Sequence, residues 1–207
     1  ASLREAGIRV VFVTNNSFST YDEQVTALNL IGIPAEGDIV TSAMSAATAM
    51  KSGWRVLVCG GRGLIEEVGR VADRVVVAYN EPMATGKFDA VVVGFHREFN
   101  YQVLTDALTA VRGGAVLIGS NDDPTYPTPN GLIPGGGSIL AAIEKASGVT
   151  PTVTGKPYEP MALLVRDMCG DVLPEEMVMI GDRSDTDGGF ARIMGARFAM
   201  VLSGVMP

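Results

Sequence analysis

"MVMIGDRSDTDGG" (177–189) runs four apolar residues into a glycine and then sets Asp182, Asp185 and Asp187 within six positions. A short apolar run closed by glycine reads as a buried strand ending at Gly181. The carboxylates then lie beyond the carboxyl end of a strand, which is where open parallel sheets bind ligands. Hard carboxylate oxygens at such a place suit Mg²⁺, an ion that takes oxygen ligands and keeps room for water and substrate phosphate oxygens. Asp182 is the first candidate metal ligand. Asp187 can return to the same pocket to orient a ligand or a metal-bound water. Asp185 faces solvent or helps to start the next helix, where a carboxylate complements the macrodipole. An N-capped loop with no metal would use the same residue types.

Working outward, apolar runs recur at 8–14, 55–60, 74–79, 89–95, 115–120 and 196–204, in addition to 177–181. Helical spacing fills 20–31, 43–51, 62–71, 100–112, 138–147, 160–169 and 185–194. Strands apolar on both faces, alternating with helices, predict an α/β fold: a doubly wound, mostly parallel sheet covered on both sides. Thr20 and Glu23 offer a capping box to the first main helix. The stretch "SNDDPTYPTPNGLIPGGGS" (120–138), with four prolines and four glycines, reads as a long irregular loop of the kind that carries function.

Two further motifs join the carboxylates. In "VVFVTNNS" (10–17) the strand delivers Thr14, Asn15 and Asn16 into a loop before a helix, as a phosphate cradle or as a simple helix cap. In "TGKPYEP" (154–160) Lys156 sits in a rigid turn between glycine and proline, where an ammonium group can neutralise phosphate and a neighbouring carboxylate. An isolated lysine is otherwise an ordinary surface residue.

The order "TNN", a long insertion, "GKP" and then "GDRSDTD" resembles the haloacid dehalogenase (HAD) superfamily of phosphatases, in its NagD-like subfamily with a large α/β cap. The resemblance implies a HAD-like core over 1–44 and 154–207, incomplete at both ends, and an inserted α/β cap over 45–153. Lys156 and Thr14 are 156 − 14 = 142 positions apart, which agrees with an inserted domain. By position, Thr14, Asn15 and Asn16 would bind the phosphoryl group, Lys156 would stabilise its charge and Asp182 would hold Mg²⁺. Asp187 would support the metal, and Asn121 and Asp123 would approach the substrate from the cap. The implied substrate is a small phosphorylated metabolite such as a sugar, glycerol or nucleotide monophosphate. The implied reaction is phosphomonoester hydrolysis through an aspartyl-phosphate. The family's paired-aspartate motif is expected in a segment ahead of residue 1. The alternative is a noncatalytic module that binds phosphorylated ligands. The resemblance also allows a homodimer through the cap.

Composition narrows the rest. A net charge of −7 over 207 residues opposes a broad grip on nucleic acid or anionic membrane. No apolar run approaches the ~20 residues of a membrane span, and no signal-peptide pattern opens the sequence, so a cytoplasmic location is expected. Cys59 and Cys169 lack metal-binding spacing and fit small buried hydrophobes in a reducing compartment. "VCGGRGLIEE" (58–67) lacks the third glycine of a dinucleotide-binding turn. His96, the single histidine, is expected in a structural role or beneath the cap near the substrate, and alone it excludes a histidine-based zinc site.

Overall fold

The computed structural model describes residues 2–79 and 86–204. Its largest layer is a five-stranded parallel sheet in the order β4-β3-β5-β6-β9, formed by β3 (Arg55–Cys59), β4 (Arg74–Val77), β5 (Ala90–Val93), β6 (Val116–Gly119) and β9 (Thr152–Val153). The apolar runs are buried on both faces because successive side chains point to opposite sides of a strand. Val56, Val58, Ala90 and Val92 meet Ala43, Ala46, Leu64 and Val68 from α3 (Ser42–Thr48) and α4 (Arg62–Gly69). Leu57, Val91, Val93 and Leu117 meet Val103, Ala107, Ile139 and Ile143 from α5 (Tyr101–Arg112) and α6 (Gly136–Ser147). At roughly 1.5–3 kcal/mol per fully buried aliphatic side chain, these two layers are the main source of stability around the five-stranded sheet.

Two smaller parallel pairs make the other layer. β1 (Phe12–Thr14) pairs with β2 (Ile39–Thr41), and β10 (Val178–Gly181) pairs with β11 (Arg197–Met200). Beneath them α7 (Glu159–Cys169) and α8 (Asp187–Met194) supply Met161, Val165, Phe190 and Met194 to a third cluster, packed against Val13, Val40, Met177 and Met179. The chain begins with the short α1 (Ser2–Glu5), and α2 (Tyr21–Leu30) follows β1. The expected capping box is present: the Thr20 hydroxyl accepts the Glu23 N–H, and the Glu23 carboxylate accepts the Thr20 N–H.

The structure corrects the reading of 120–138 as irregular. Within it β7 (Thr125–Thr128) and β8 (Gly131–Pro134) form an antiparallel hairpin, with Tyr126 opposite Ile133. The prolines read as strand breakers, yet a two-stranded ribbon has free outer edges that need no N–H donor. The signal that was there is Asn130-Gly131 between short alternating segments, a strong hairpin cue. β2 and β9, at three and two residues, are too short to register as periodic runs. The strand expected over 8–14 is extended only from Phe12, and the last helix starts at Asp187 instead of residue 185. The two glycines after Asp187 have a packing reason: a Cβ on Gly189 would lie 3.1 Å from Pro157, and one on Gly188 would lie 3.3 Å from Phe198. No helix among the described residues is long and apolar enough to cross a membrane.

Candidate functional site

The carboxyl ends of β1 and β10 open on one cavity of about 250 Å³. Thr14, Asn15, Asn16, Asp182 and Arg183 line it from the two small sheets, and Phe95, Asn121, Asp123 and Tyr126 line it from the loops after β5 and β6 and from β7. The predicted phosphate loop, the first metal candidate and the 120–138 segment therefore meet at one place.

Asn15 knits these segments together. Its amide nitrogen donates to the Asp123 carboxylate (2.8 Å) and to the Lys156 carbonyl (3.1 Å), while its amide oxygen accepts the Lys156 N–H (2.8 Å). Its own carbonyl accepts from the Ser42 hydroxyl and from the Asn121 amide. The Asn16 side-chain oxygen accepts the N–H groups of Phe18 and Ser19, and the Thr14 hydroxyl accepts the N–H of Asn16. Both asparagine side chains thus hold the loop in shape, at least in part, by satisfying its backbone. Gly155 lets the Lys156 segment pass through this knot, since a Cβ there would lie 2.4 Å from the Ser120 carbonyl oxygen and 2.7 Å from Asn15 Oδ1.

Lys156 and Asp187 are not among the residues that line the cavity, and they meet each other. The Lys156 ammonium donates to Asp187 Oδ1 at 2.7 Å, and both residues are buried, at 8% and 5% exposure. The second Asp187 oxygen accepts the Arg183 N–H at 3.2 Å, so both oxygens are satisfied. Asp187 also occupies the first turn of α8, where the macrodipole favours an anion. Gly181 makes room for that carboxylate: a Cβ there would lie 2.2 Å from Asp187 Oδ2.

Arg183 was quoted in the sequence without a role. It lines the cavity and reaches Asp123 at 3.6 Å and Asp185 at 3.5 Å. Asp185 itself is exposed, and its carboxylate accepts the Thr186 N–H. Burial pushes the Asp123 carboxyl above its usual range, against the pull of the Asn15 amide and the Arg183 guanidinium. No cluster of three histidine, cysteine, aspartate or glutamate side chains suited to a metal occurs among the described residues. The Asp182 carboxylate, which lines the cavity, still fits Mg²⁺, an ion that fills its remaining positions with water and substrate phosphate.

His96 lies apart from the cavity lining. Its ring is 2% exposed, stacks on Tyr79 at 5.3 Å between centroids, and meets the edge of Phe99. Neither ring nitrogen has a hydrogen-bond partner among the described residues. Burial holds its pKa below the ordinary value, although Glu98 at 3.7 Å pulls it upward. The unfolded chain takes up this proton near pH 6.5 and the folded protein resists it, so His96 costs stability as pH falls below about 6.5. His96→Phe keeps the stack and removes two unmatched nitrogens, and should raise stability by about 1 kcal/mol. Melting temperatures at pH 8 and pH 5.5 test this: the substitution should shrink the loss between them, and an unchanged loss would refute the assignment.

A sequence model of the haloacid dehalogenase-like hydrolases matches residues 1–72, and a second HAD-hydrolase-like model matches 153–207. A D-glycerol 3-phosphate phosphatase of Mycobacterium tuberculosis is 39% identical over 209 residues, which cover 99% of this chain and 57% of that protein. An acid sugar phosphatase of Staphylococcus saprophyticus is 34% identical over 189 residues, covering 89% of this chain and 70% of the relative. A crystal structure of a glycerol phosphate phosphatase from M. tuberculosis in complex with magnesium superposes with a TM-score of 0.86 at 37% identity, covering 99% of this chain and 61% of that one. The chain thus spans between half and three quarters of the length of these relatives.

Proposed function

Because the chain belongs to the haloacid dehalogenase-like hydrolases, we propose that it carries the phosphate-handling half of a Mg²⁺-dependent phosphomonoester hydrolase acting on a small phosphorylated metabolite. The observation that carries this reading is the convergence of Thr14, Asn16, Asp182 and Arg183 with Asn121 and Asp123 on one cavity.

The Thr14 hydroxyl accepts the Asn16 N–H and so keeps its own proton to donate to a phosphoryl oxygen. Arg183 adds a positive charge at the cavity wall, where a developing phosphoryl charge is best stabilised by groups already in place. Lys156 acts through Asp187: by fixing that carboxylate, whose second oxygen holds the Arg183 N–H, it sets the backbone that presents Asp182 and Arg183. Asp182 is the residue that would hold Mg²⁺. When bound, that ion neutralises phosphoryl oxygens and orients the group for in-line attack. In this reading the attacking carboxylate arrives on a further strand beside β1 and β10. Each of those strands has a ladder edge with no strand partner among the described residues, and exposed Val178 and Ile180 leave an apolar face beside them. Residues 45–153 serve as the cap that closes over the leaving group.

The test is release of inorganic phosphate from glycerol 3-phosphate and from sugar phosphates by the full-length protein, with Mg²⁺ and after chelation. Release that needs Mg²⁺ and stops on chelation is expected. Ligand-dependent thermal stabilisation with no turnover of any phosphomonoester would overturn the catalytic reading in favour of a binding module.

A further inference from the structure

The far end of the cavity is built by aromatic rings that hydrolysis itself does not need. Phe95 and Tyr126 both line it, with ring centroids 4.8 Å apart and planes inclined by 1°. Phe18 packs on Phe95 at 5.6 Å, and the Arg62 guanidinium lies 5.1 Å from the centre of the Phe18 ring. Arg62 is in turn paired with Glu23 at 2.9 Å. A row therefore runs from α2 through α4 and the loop after β1 to the β7–β8 hairpin.

Phe95, at the centre of this row, has little freedom to move. Phe95 is 9% exposed, and the backbone on either side of it is closely packed. A Cβ on Gly94 would lie 2.6 Å from Ser17 Oγ, and one on Gly136 would lie 3.0 Å from the Phe95 nitrogen. Such a wall cannot retreat to admit a larger ligand without repacking the loop after β5.

Resting on the hydrolase reading above, we propose that Phe95 and Tyr126 act as one specificity-determining unit, restricting the leaving group to a short polyol or small sugar and excluding a nucleoside. Size favours this, because about 250 Å³ lies below the roughly 300–1,000 Å³ typical of pockets that enclose drug-sized ligands. Chemistry favours it too. The part of the half-buried Tyr126 ring left open to the cavity gives an apolar surface against which the C–H groups of a polyol can pack. Thr125 lines the same space and offers its hydroxyl to those of a polyol.

The experiment uses full-length protein and compares kcat/KM for glycerol 3-phosphate and for a nucleoside 5′-monophosphate. Tyr126→Ala should lower the first about ten-fold, mainly through KM, and raise the second, shifting their ratio at least 30-fold. Tyr126→Phe should keep the original preference. Phe95→Leu removes the stack with a milder change of shape and should shift the ratio in the same direction as Tyr126→Ala. Equal losses on both substrates, or a wild-type preference for the nucleotide, would overturn the specificity role while leaving the hydrolase intact. Failure of the wild type to hydrolyse either substrate would instead overturn the hydrolase reading and this inference with it.

Discussion

Asp182→Asn in the full-length protein is expected to lower Mg²⁺-dependent phosphate release by about 10²–10³-fold, the usual cost of losing one group aimed at developing charge. The substitution keeps the size and shape of the side chain and removes one formal charge. Asp182 directly follows Gly181, the last residue of β10, and lines the cavity opposite Asn121 and Asp123. Its carboxylate is therefore placed by a strand end, an anchor with less freedom than a surface loop. The Mg²⁺ concentration for half-maximal activity should rise together with the loss of rate. A drop in kcat with an unchanged Mg²⁺ requirement would mean that Asp182 touches substrate instead of metal. Full retained activity would remove Asp182 from the site.

Much of this arrangement is legible in the chain because several independent patterns agree. Runs such as 56–59 and 90–93 are apolar at every position, which a sheet covered on both faces requires, and both faces are covered. The site residues at 14–16 and 182 stand immediately after such runs, so their meeting at strand ends follows from parallel topology. What the chain hides are the residues that act through packing. Phe18, Phe95 and Tyr126 lie 77 and 31 positions apart (95 − 18 and 126 − 95), with nothing local to join them. Arg183 was masked by the acidic residues around it, although one cation among three carboxylates is itself an electrostatic signal. The part of Asn15 also differs from a simple phosphate ligand: its amide is spent on Asp123 and Lys156, an arrangement that only the folded chain brings together.

The buried ion pair between Lys156 and Asp187 predicts a second large effect, on stability as well as on rate. Lys156→Met leaves the Asp187 carboxylate without its cation at 5% exposure, and breaking a buried pair from one side typically costs about 3–5 kcal/mol. For a protein of this size that corresponds to a fall in melting temperature of roughly 6–20 °C. Asp187→Leu exposes the mirror problem and should cost a comparable amount. The double substitution removes both charges, so its cost should fall well below the sum of the two single costs, with a coupling energy of about 2 kcal/mol or more. If the two costs simply add to within about 0.5 kcal/mol, the 2.7 Å contact is not an energetic pair. Activity separates structure from positioning: assayed at a temperature where the double variant is folded, it should still be at least ten-fold slower than wild type. The reason is the Asp187 oxygen that holds the Arg183 N–H, which leucine cannot replace, so the Asp182–Arg183 turn loses its anchor even where the fold survives.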